Sequence, residues 1–139
     1  MILVGRYQSP FVRRVAISLR QLGLTYQHKP LSVIDDREAV KAINPLMRVP
    51  ALMLEDGEVL IDSSAILDYI DERVGPARAL IPPSGPERRK VLRLIALATG
   101  IMDKSVSYYQ ETRFRPEDKR HPGLLAYFTS QITQAFTAI

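Results

Sequence analysis

The first half of the chain carries an order of apolar segments that few folds can accommodate. A short apolar run, Ile2-Leu3-Val4, precedes apolar positions at helical spacing that stop at Gly23. A weakly alternating strand over 25–31 and a short helix over 35–43 come next, and Asn44-Pro45 must end that helix. The order to this point is β-α-β-α.

A hairpin and a further helix complete this pattern. Apolar segments over 51–54 and 58–61 flank Asp56-Gly57, a dipeptide typical of tight turns, and helical spacing then continues to Val74. The order βαβαββα predicts an α/β fold, a thioredoxin-like domain with a four-stranded mixed sheet and helices on both faces. We expect it to occupy residues 1–75.

A proline-rich segment separates this domain from a second one. Residues 76–87 contain four prolines, which neither a helix interior nor a central strand accepts, and we interpret this segment as a linker. Helical patterns after residue 88 and after His121-Pro122 predict an all-α C-terminal domain over 88–139. Two helices with apolar stripes on more than one side make a poor core, so we expect this domain to be incomplete or covered by a partner chain.

Composition excludes several functional classes. Without cysteine there is no disulfide, cysteine nucleophile or thiolate zinc site, and His28 and His121 are far apart in sequence, so no metal site is expected. No apolar run approaches the ~20 residues that cross a bilayer, and no signal-peptide layout is present. We therefore expect no membrane association and a cytoplasmic location. Any thiol chemistry must use a thiol that arrives with the substrate.

The net charge of +4 makes an anionic partner conceivable. The basic residues are scattered, however, and the clusters Arg13-Arg14 and Arg88-Arg89-Lys90 lie within helical patterns, where a solvated face is expected. We therefore expect no nucleic-acid function.

The segment from Gly5 to Phe11 indicates an anion site where the first strand leads into a helix. Ser9 is a natural N-cap and Pro10 a natural first helical residue, so main-chain N–H groups converge near the Ser9 hydroxyl. An anion placed there would be stabilised. The alternative is that Ser9 only caps the helix.

Two further segments indicate peptide and amino-acid recognition. If the Val49-Pro50 bond is cis, as we predict, the main chain of Val49 can form an outward edge for an extended peptide; the alternative is a trans proline at a strand start. Asp62-Ser63-Ser64 begins the next helix, where free N–H groups suit a carboxylate and Asp62 suits an ammonium. Together these groups describe the α-carbon end of an amino acid.

These three segments, in this order and spacing over residues 1–74, resemble the glutathione site of cytosolic glutathione S-transferases of the bacterial, serine- or cysteine-dependent type. A looser resemblance runs from Ile101-Met102-Asp103 to the end of the chain, which looks truncated beside family members with several more helices. The resemblance implies that Ser9 is catalytic. It also implies the glutathione-binding residues Phe11, Arg48, Val49, Pro50, Asp62 and Ser63. Within this set, Val49 pairs with the cysteinyl main chain, and Asp62 with Ser63 holds the γ-glutamyl end.

The resemblance further implies that glutathione, as cosubstrate, attacks a small electrophile without a metal or other cofactor, in a homodimer formed by the helix after Asp62 and the first long helix of the second domain. Two alternatives stay open. The chain can be a glutathione-binding stress-response or interaction protein without conjugating activity, and Tyr7 can replace Ser9 in activating the thiol. A thiol-disulfide oxidoreductase is disfavoured because no cysteine lies near position 9. Met47 stands where the family commonly has glycine.

Overall fold

Four short strands and three helices build the first of two units into which the chain divides, Met1–Leu80. The computed structural model describes residues 1–139. The elements of this unit, in chain order, are β1 (Ile2–Val4), α1 (Pro10–Gln21), β2 (Gln27–Lys29), α2 (Arg37–Ile43), β3 (Ala51–Met53), β4 (Val59–Ile61) and α3 (Ser63–Val74). This order is the βαβαββα pattern predicted from the sequence.

The four strands form one mixed sheet in the order β2-β1-β3-β4. Strand β1 is parallel to β2 and antiparallel to β3, and β4 is antiparallel to β3. The predicted thioredoxin-like fold is therefore confirmed. Strand β2 is shorter than the expected 25–31 segment, since Pro30 has no N–H to extend the ladder.

The core of this unit lies between the sheet and helices α1 and α3. Helix α1 buries one face at three- and four-residue spacing, as its apolar pattern requires, and α3 packs beside it. The core members are Leu3, Val12, Val15, Ala16, Leu19, Leu22, Leu52, Ile66 and Ile70. Each larger side chain contributes about 1.5–3 kcal/mol by leaving water, which makes this core the main source of the unit's stability.

The second unit, Ile81–Ile139, consists of two helices that pack on each other, α4 (Gly85–Phe114) and α5 (Pro122–Thr137). Helix α4 begins inside the segment expected as a linker, because Pro86 occupies its first turn, where a missing N–H has no partner to lose. No apolar side chain of this unit is fully buried. No helix of the chain combines the length and apolar character required to cross a membrane.

The connection between α4 and α5 is polar and centres on Glu111, which is only 9% exposed. Its carboxylate accepts hydrogen bonds from Arg115 Nε at 2.8 Å and from the main-chain N–H of His121 at 3.3 Å. Burial alone would raise the pKa of Glu111, but these two bonds outweigh it and the pKa is lowered. The carboxylate therefore joins the end of α4 to the start of α5.

Candidate functional site

One end of the sheet brings the three predicted segments together. Ala51, the first residue of β3, pairs with Val4, the last residue of β1, and with Ile61, the last residue of β4. Each of these three strand ends adjoins one predicted segment in sequence. Residues more than 40 positions apart therefore meet because the antiparallel register of β3 aligns these ends.

The first two segments are in direct contact. Gly5 has a φ of +121°, and a Cβ at this position would lie 2.6 Å from Val12 Cγ2 and 2.7 Å from Val49 Cβ. Only glycine fits, because both the main-chain conformation and the lack of space exclude a side chain. The Val49 side chain is thus packed against the start of the loop that leads to Ser9.

Ser9 is the N-cap of α1, as predicted. Its Oγ accepts a long hydrogen bond from the main-chain N–H of Val12, at 3.4 Å, and Pro10 occupies the first turn. A hydroxyl that accepts from an N–H still has its own hydrogen to donate. The half-buried Ser9 side chain can therefore donate to an anion at the positive end of α1.

Tyr7, the other candidate for thiol activation, is engaged elsewhere. Its hydroxyl lies 3.0 Å from the hydroxyl of Tyr26, and its ring stacks on His28 with centroids 4.0 Å apart. Burial raises the pKa of Tyr26, and the hydrogen bond with Tyr7 raises it further. Both contacts of the Tyr7 side chain thus involve β2 or the residue before it.

The loop before β3 is organised by Asn44, which is 2% exposed. The Asn44 side chain donates to the carbonyl of Arg48 at 2.8 Å and accepts from the N–H of Leu46 at 3.0 Å. Met47, at the position where the family commonly has glycine, has a φ of 51°. This left-handed conformation is the one that glycine adopts most easily, so the loop keeps the glycine-like turn with a methionine in it.

The Val49-Pro50 bond is cis, which confirms the prediction. No hydrogen bond joins the N–H or C=O of Val49 to another part of the chain, so this main-chain unit can pair with a peptide. A recess of about 20 Å³ lies beside it. Its lining residues are Phe11, Asn44, Leu46, Arg48, Val49, Pro50 and Asp62, five of which belong to the predicted set.

Asp62 and Ser63 lie at the start of α3. Asp62 adopts a φ of 68° and its Oδ1 accepts from the N–H of Ser64 at 2.8 Å, which caps the helix. The neighbouring Ser63 is 1% exposed. Neither Ser9 nor Ser63 lines the small recess; they lie at the N-termini of the two helices next to it.

Arg14 lies at the candidate site, and the sequence interpretation missed it. The expectation of a solvated face is wrong for this residue, because its guanidinium Nη1 donates to Ser63 Oγ at 3.3 Å and is half-buried. Burial lowers the pKa of Arg14, partly offset by the nearby negative charge of Asp62. The neighbouring Arg13, although exposed, donates to the carbonyls of Tyr7 and Gln8. In the sequence, only the position of Arg14 next to the buried apolar positions of α1 could have indicated this contact.

The chain also resembles known proteins in sequence and in structure. Residues 3–78 match the family described as "Glutathione S-transferase, N-terminal domain". The uncharacterized GST-like protein YibF of Escherichia coli (strain K12) is 39% identical over 111 residues, which are 80% of this chain and 54% of that protein. The maleylacetoacetate isomerase of Pseudomonas aeruginosa is 42% identical over 105 residues, 72% of this chain and 49% of that enzyme.

Among solved structures, a glutathione transferase family member from Pseudomonas fluorescens Pf-5 with bound glutathione has a TM-score of 0.87 and 38% identity, with 98% of this chain and 68% of that chain covered. The chain spans about half the length of the curated relatives that it matches. The segment that matches the family, residues 3–78, is more than half of this sequence. The chain therefore belongs to the glutathione S-transferase family.

Proposed function

We propose that the first unit binds glutathione and that Ser9 stabilises the glutathione thiolate, which attacks a small electrophile. The observation that carries this proposal is the pairing of Ala51 with both Val4 and Ile61, which aligns the three segments at one end of the sheet. Adjacent strands lie about 4.8 Å apart, so a tripeptide of about 10 Å reaches all three segments.

The middle of the tripeptide would pair with Val49. Its N–H and C=O have no partner in the chain, and an extended peptide adds to such an edge as another strand would. Two main-chain hydrogen bonds contribute about 1 kcal/mol each. The exposed Arg48 guanidinium, which makes no ion pair in the structure, would attract a terminal carboxylate of the peptide.

The γ-glutamyl end would lie at the start of α3. Asp62 Oδ1 already accepts from Ser64, which leaves Oδ2 for the ammonium. The first N–H groups of α3 would bind the α-carboxylate, and the Arg14 guanidinium adds positive charge behind Ser63. This arrangement matches both charges of an amino-acid end.

The thiol would lie near Ser9. A free thiol has a pKa near 8.5, so a reduction of about two units, about 2.7 kcal/mol, makes the thiolate the major species at neutral pH. The Ser9 hydroxyl donates its hydrogen to the sulfur, and the N-terminus of α1 adds a favourable field. The sulfur then forms a bond to an electrophilic carbon, and the displaced electron pair leaves with the departing group or moves onto the acceptor.

A second candidate function is glutathione-dependent isomerisation, which is favoured by the similarity to the maleylacetoacetate isomerase of Pseudomonas aeruginosa. A thiolate that adds to a conjugated double bond converts it into a single bond, about which the adduct can rotate. Expulsion of the thiolate then restores the double bond in the other geometry. Glutathione is consumed in conjugation and is regenerated in isomerisation.

Glutathione-affinity retention followed by an activity assay tests these functions. Conjugation requires retention, loss of free thiol, and turnover of a general electrophile such as a chlorodinitrobenzene. Isomerisation of a cis-enedione without loss of thiol would favour the second function. Retention without either activity would indicate a binding protein, and failure of retention would refute the proposal.

We also infer the roles of the two parts of the chain. Residues 1–75 would form the glutathione-binding domain, 76–87 would connect it, and 88–139 would form part of the all-α domain. The chain would form a homodimer through α3 and α4, since α4 leaves Leu92 and Leu94 about 40% exposed.

A further inference from the structure

The peptide group that joins Gly5 to Arg6 is hydrogen-bonded at both ends. The Gly5 carbonyl accepts from His28 Nε2 at 2.8 Å, and the Arg6 N–H donates to the Leu31 carbonyl at 3.2 Å. Since a carbonyl only accepts, Nε2 of the His28 ring carries the hydrogen of this bond. A glycine with a φ of +121° imposes few steric limits on this peptide, so the two bonds set its orientation.

The imidazole of His28 also holds the next residue of the loop. The ring of Tyr7 stacks on it with an interplanar angle of 13°, and the Tyr7 hydroxyl is hydrogen-bonded to that of Tyr26. His28 thus contacts the loop at two residues, Gly5 through its nitrogen and Tyr7 through the face of its ring. It does so from β2, in register with Leu3 of β1.

The orientation of this loop reaches Ser9 through the main chain. The Arg6 carbonyl, which belongs to the next peptide group, accepts a hydrogen bond from the N–H of Ser9 at 3.1 Å. A change in the orientation of the Gly5–Arg6 peptide would therefore shift Arg6 and, with it, the start of α1. We propose that His28 is a positioning residue for Ser9, which it holds at hydrogen-bonding distance from the glutathione sulfur. This inference rests on the proposed function, in which Ser9 stabilises the thiolate.

The proposal separates binding from activation. The groups expected to hold glutathione are the main chain of Val49, the side chains of Arg48 and Asp62, and the start of α3 at Ser63, and none of them is hydrogen-bonded to the His28 ring. Loss of the His28 bond would therefore leave the tripeptide in place and move only the hydroxyl. A residue with a purely structural role would instead change binding and activation together.

Three variants of the 139-residue chain test this. His28→Phe keeps a ring to stack on Tyr7 but has no donor, and His28→Gln supplies a donor of similar reach. Gln27→Ala is the control, since it alters a neighbouring exposed residue of β2 whose side chain makes no hydrogen bond. Calorimetry gives the dissociation constant of glutathione, and thiolate absorbance against pH gives the pKa of the bound thiol.

We expect His28→Phe to raise the pKa of the bound thiol by about one unit and to lower kcat about tenfold, with the dissociation constant changed less than about threefold. His28→Gln should recover most of both losses, and Gln27→Ala should behave as the wild type. If His28→Phe does not fold, His28→Ala replaces it in the same comparison.

If His28→Phe leaves the thiol pKa and kcat unchanged, the inference is overturned. It is also overturned if His28→Phe and His28→Gln change the thiol pKa and kcat equally. A dissociation constant that weakens in proportion to kcat would also overturn it. These outcomes leave the proposed function intact. If the wild type binds no glutathione, or binds it with an unshifted thiol pKa, the proposed function and this inference fail together.

Discussion

The Val49 side chain leaves no room for a Cβ on Gly5, since such an atom would lie 2.7 Å from Val49 Cβ. This contact joins the loop that leads to Ser9 to the segment in which the main chain of Val49 is expected to pair with glutathione. We expect Gly5→Ala to lower the free energy of unfolding by about 2–4 kcal/mol, because it adds both a positive-φ cost and a clash with Val12 and Val49. Urea denaturation measures this loss.

Gly57→Ala is the matched control for that experiment. Gly57 also has a positive φ, +93°, but a Cβ there would meet nothing within 4 Å. We expect it to cost only about 1 kcal/mol, the penalty for the main-chain conformation alone. Equal losses in the two variants would refute the close-contact explanation.

Removal of the Ser9 hydroxyl should expose its role in thiol activation. We expect Ser9→Ala to raise the pKa of bound glutathione by one to two units and to lower kcat by about 10–100-fold, because the thiolate loses its hydrogen-bond donor. Tyr7→Phe should leave that pKa within about 0.3 units, since its hydroxyl bonds Tyr26. The opposite pattern in the thiolate absorbance would assign the role to Tyr7.

Arg14 should contribute to glutathione affinity more than to catalysis. Arg14→Met keeps the aliphatic part of the side chain but removes the donor to Ser63 and the positive charge near Asp62. We expect about tenfold weaker binding, about 1.4 kcal/mol, with kcat changed little. Arg20→Met, on the exposed side of α1, is the control for the loss of one positive charge. If Arg14→Met and Arg20→Met weaken the binding of glutathione equally, the role of Arg14 is contradicted.

The lowered pKa of Glu111 predicts acid sensitivity in the second unit. A carboxyl whose pKa is lower in the folded protein than in the unfolded chain stabilises the folded protein. This stabilisation is complete above the pKa of the unfolded chain, near 4.5, and is lost as the pH falls through the pKa of the folded protein. Glu111→Gln should therefore flatten the fall in melting temperature below about pH 5. Circular dichroism from pH 3 to 7 measures this, and Glu117→Gln, in the exposed turn, should retain the wild-type slope.

The two units should differ in local stability. All fully buried apolar side chains lie in the first unit, whereas helix α5 has no buried residue. We expect amides of α5 to exchange at lower protection than those of β1 and β3, because opening α5 exposes less apolar surface. Hydrogen exchange followed by mass spectrometry tests this, and equal protection would refute it.

A homodimer is the assembly expected from the exposed apolar residues of α4. Light scattering in dilute solution should give about twice the 15.7 kDa mass of one chain. A monomer would contradict the proposed pairing. Leu92→Lys should shift the mass toward the monomer, whereas Arg89→Lys on the same helix should not.

The order of elements was predictable because apolar periodicity and turn residues are local signals. The hairpin at Asp56-Gly57 and the end of α2 at Asn44 follow from such signals, and the positions of the three site segments follow from the strands that they adjoin. Contacts between distant side chains had no such signal. The sequence contains nothing that pairs Arg14 with a serine 49 positions away, since that pair depends on how α1 and α3 pack. The start of α4 was misplaced because proline disrupts a helix interior yet suits a first turn.

The register of β3 also separates the two ends of the sheet. Ala51 lies at the end that carries the candidate site, and Met53 leads to the turn at Asp56-Gly57, about 10–20 Å along the chain direction. That turn is exposed and has space around Gly57. The turn therefore offers an attachment point for a fluorophore or a solid support, and protein immobilised there would keep the candidate site toward the solution.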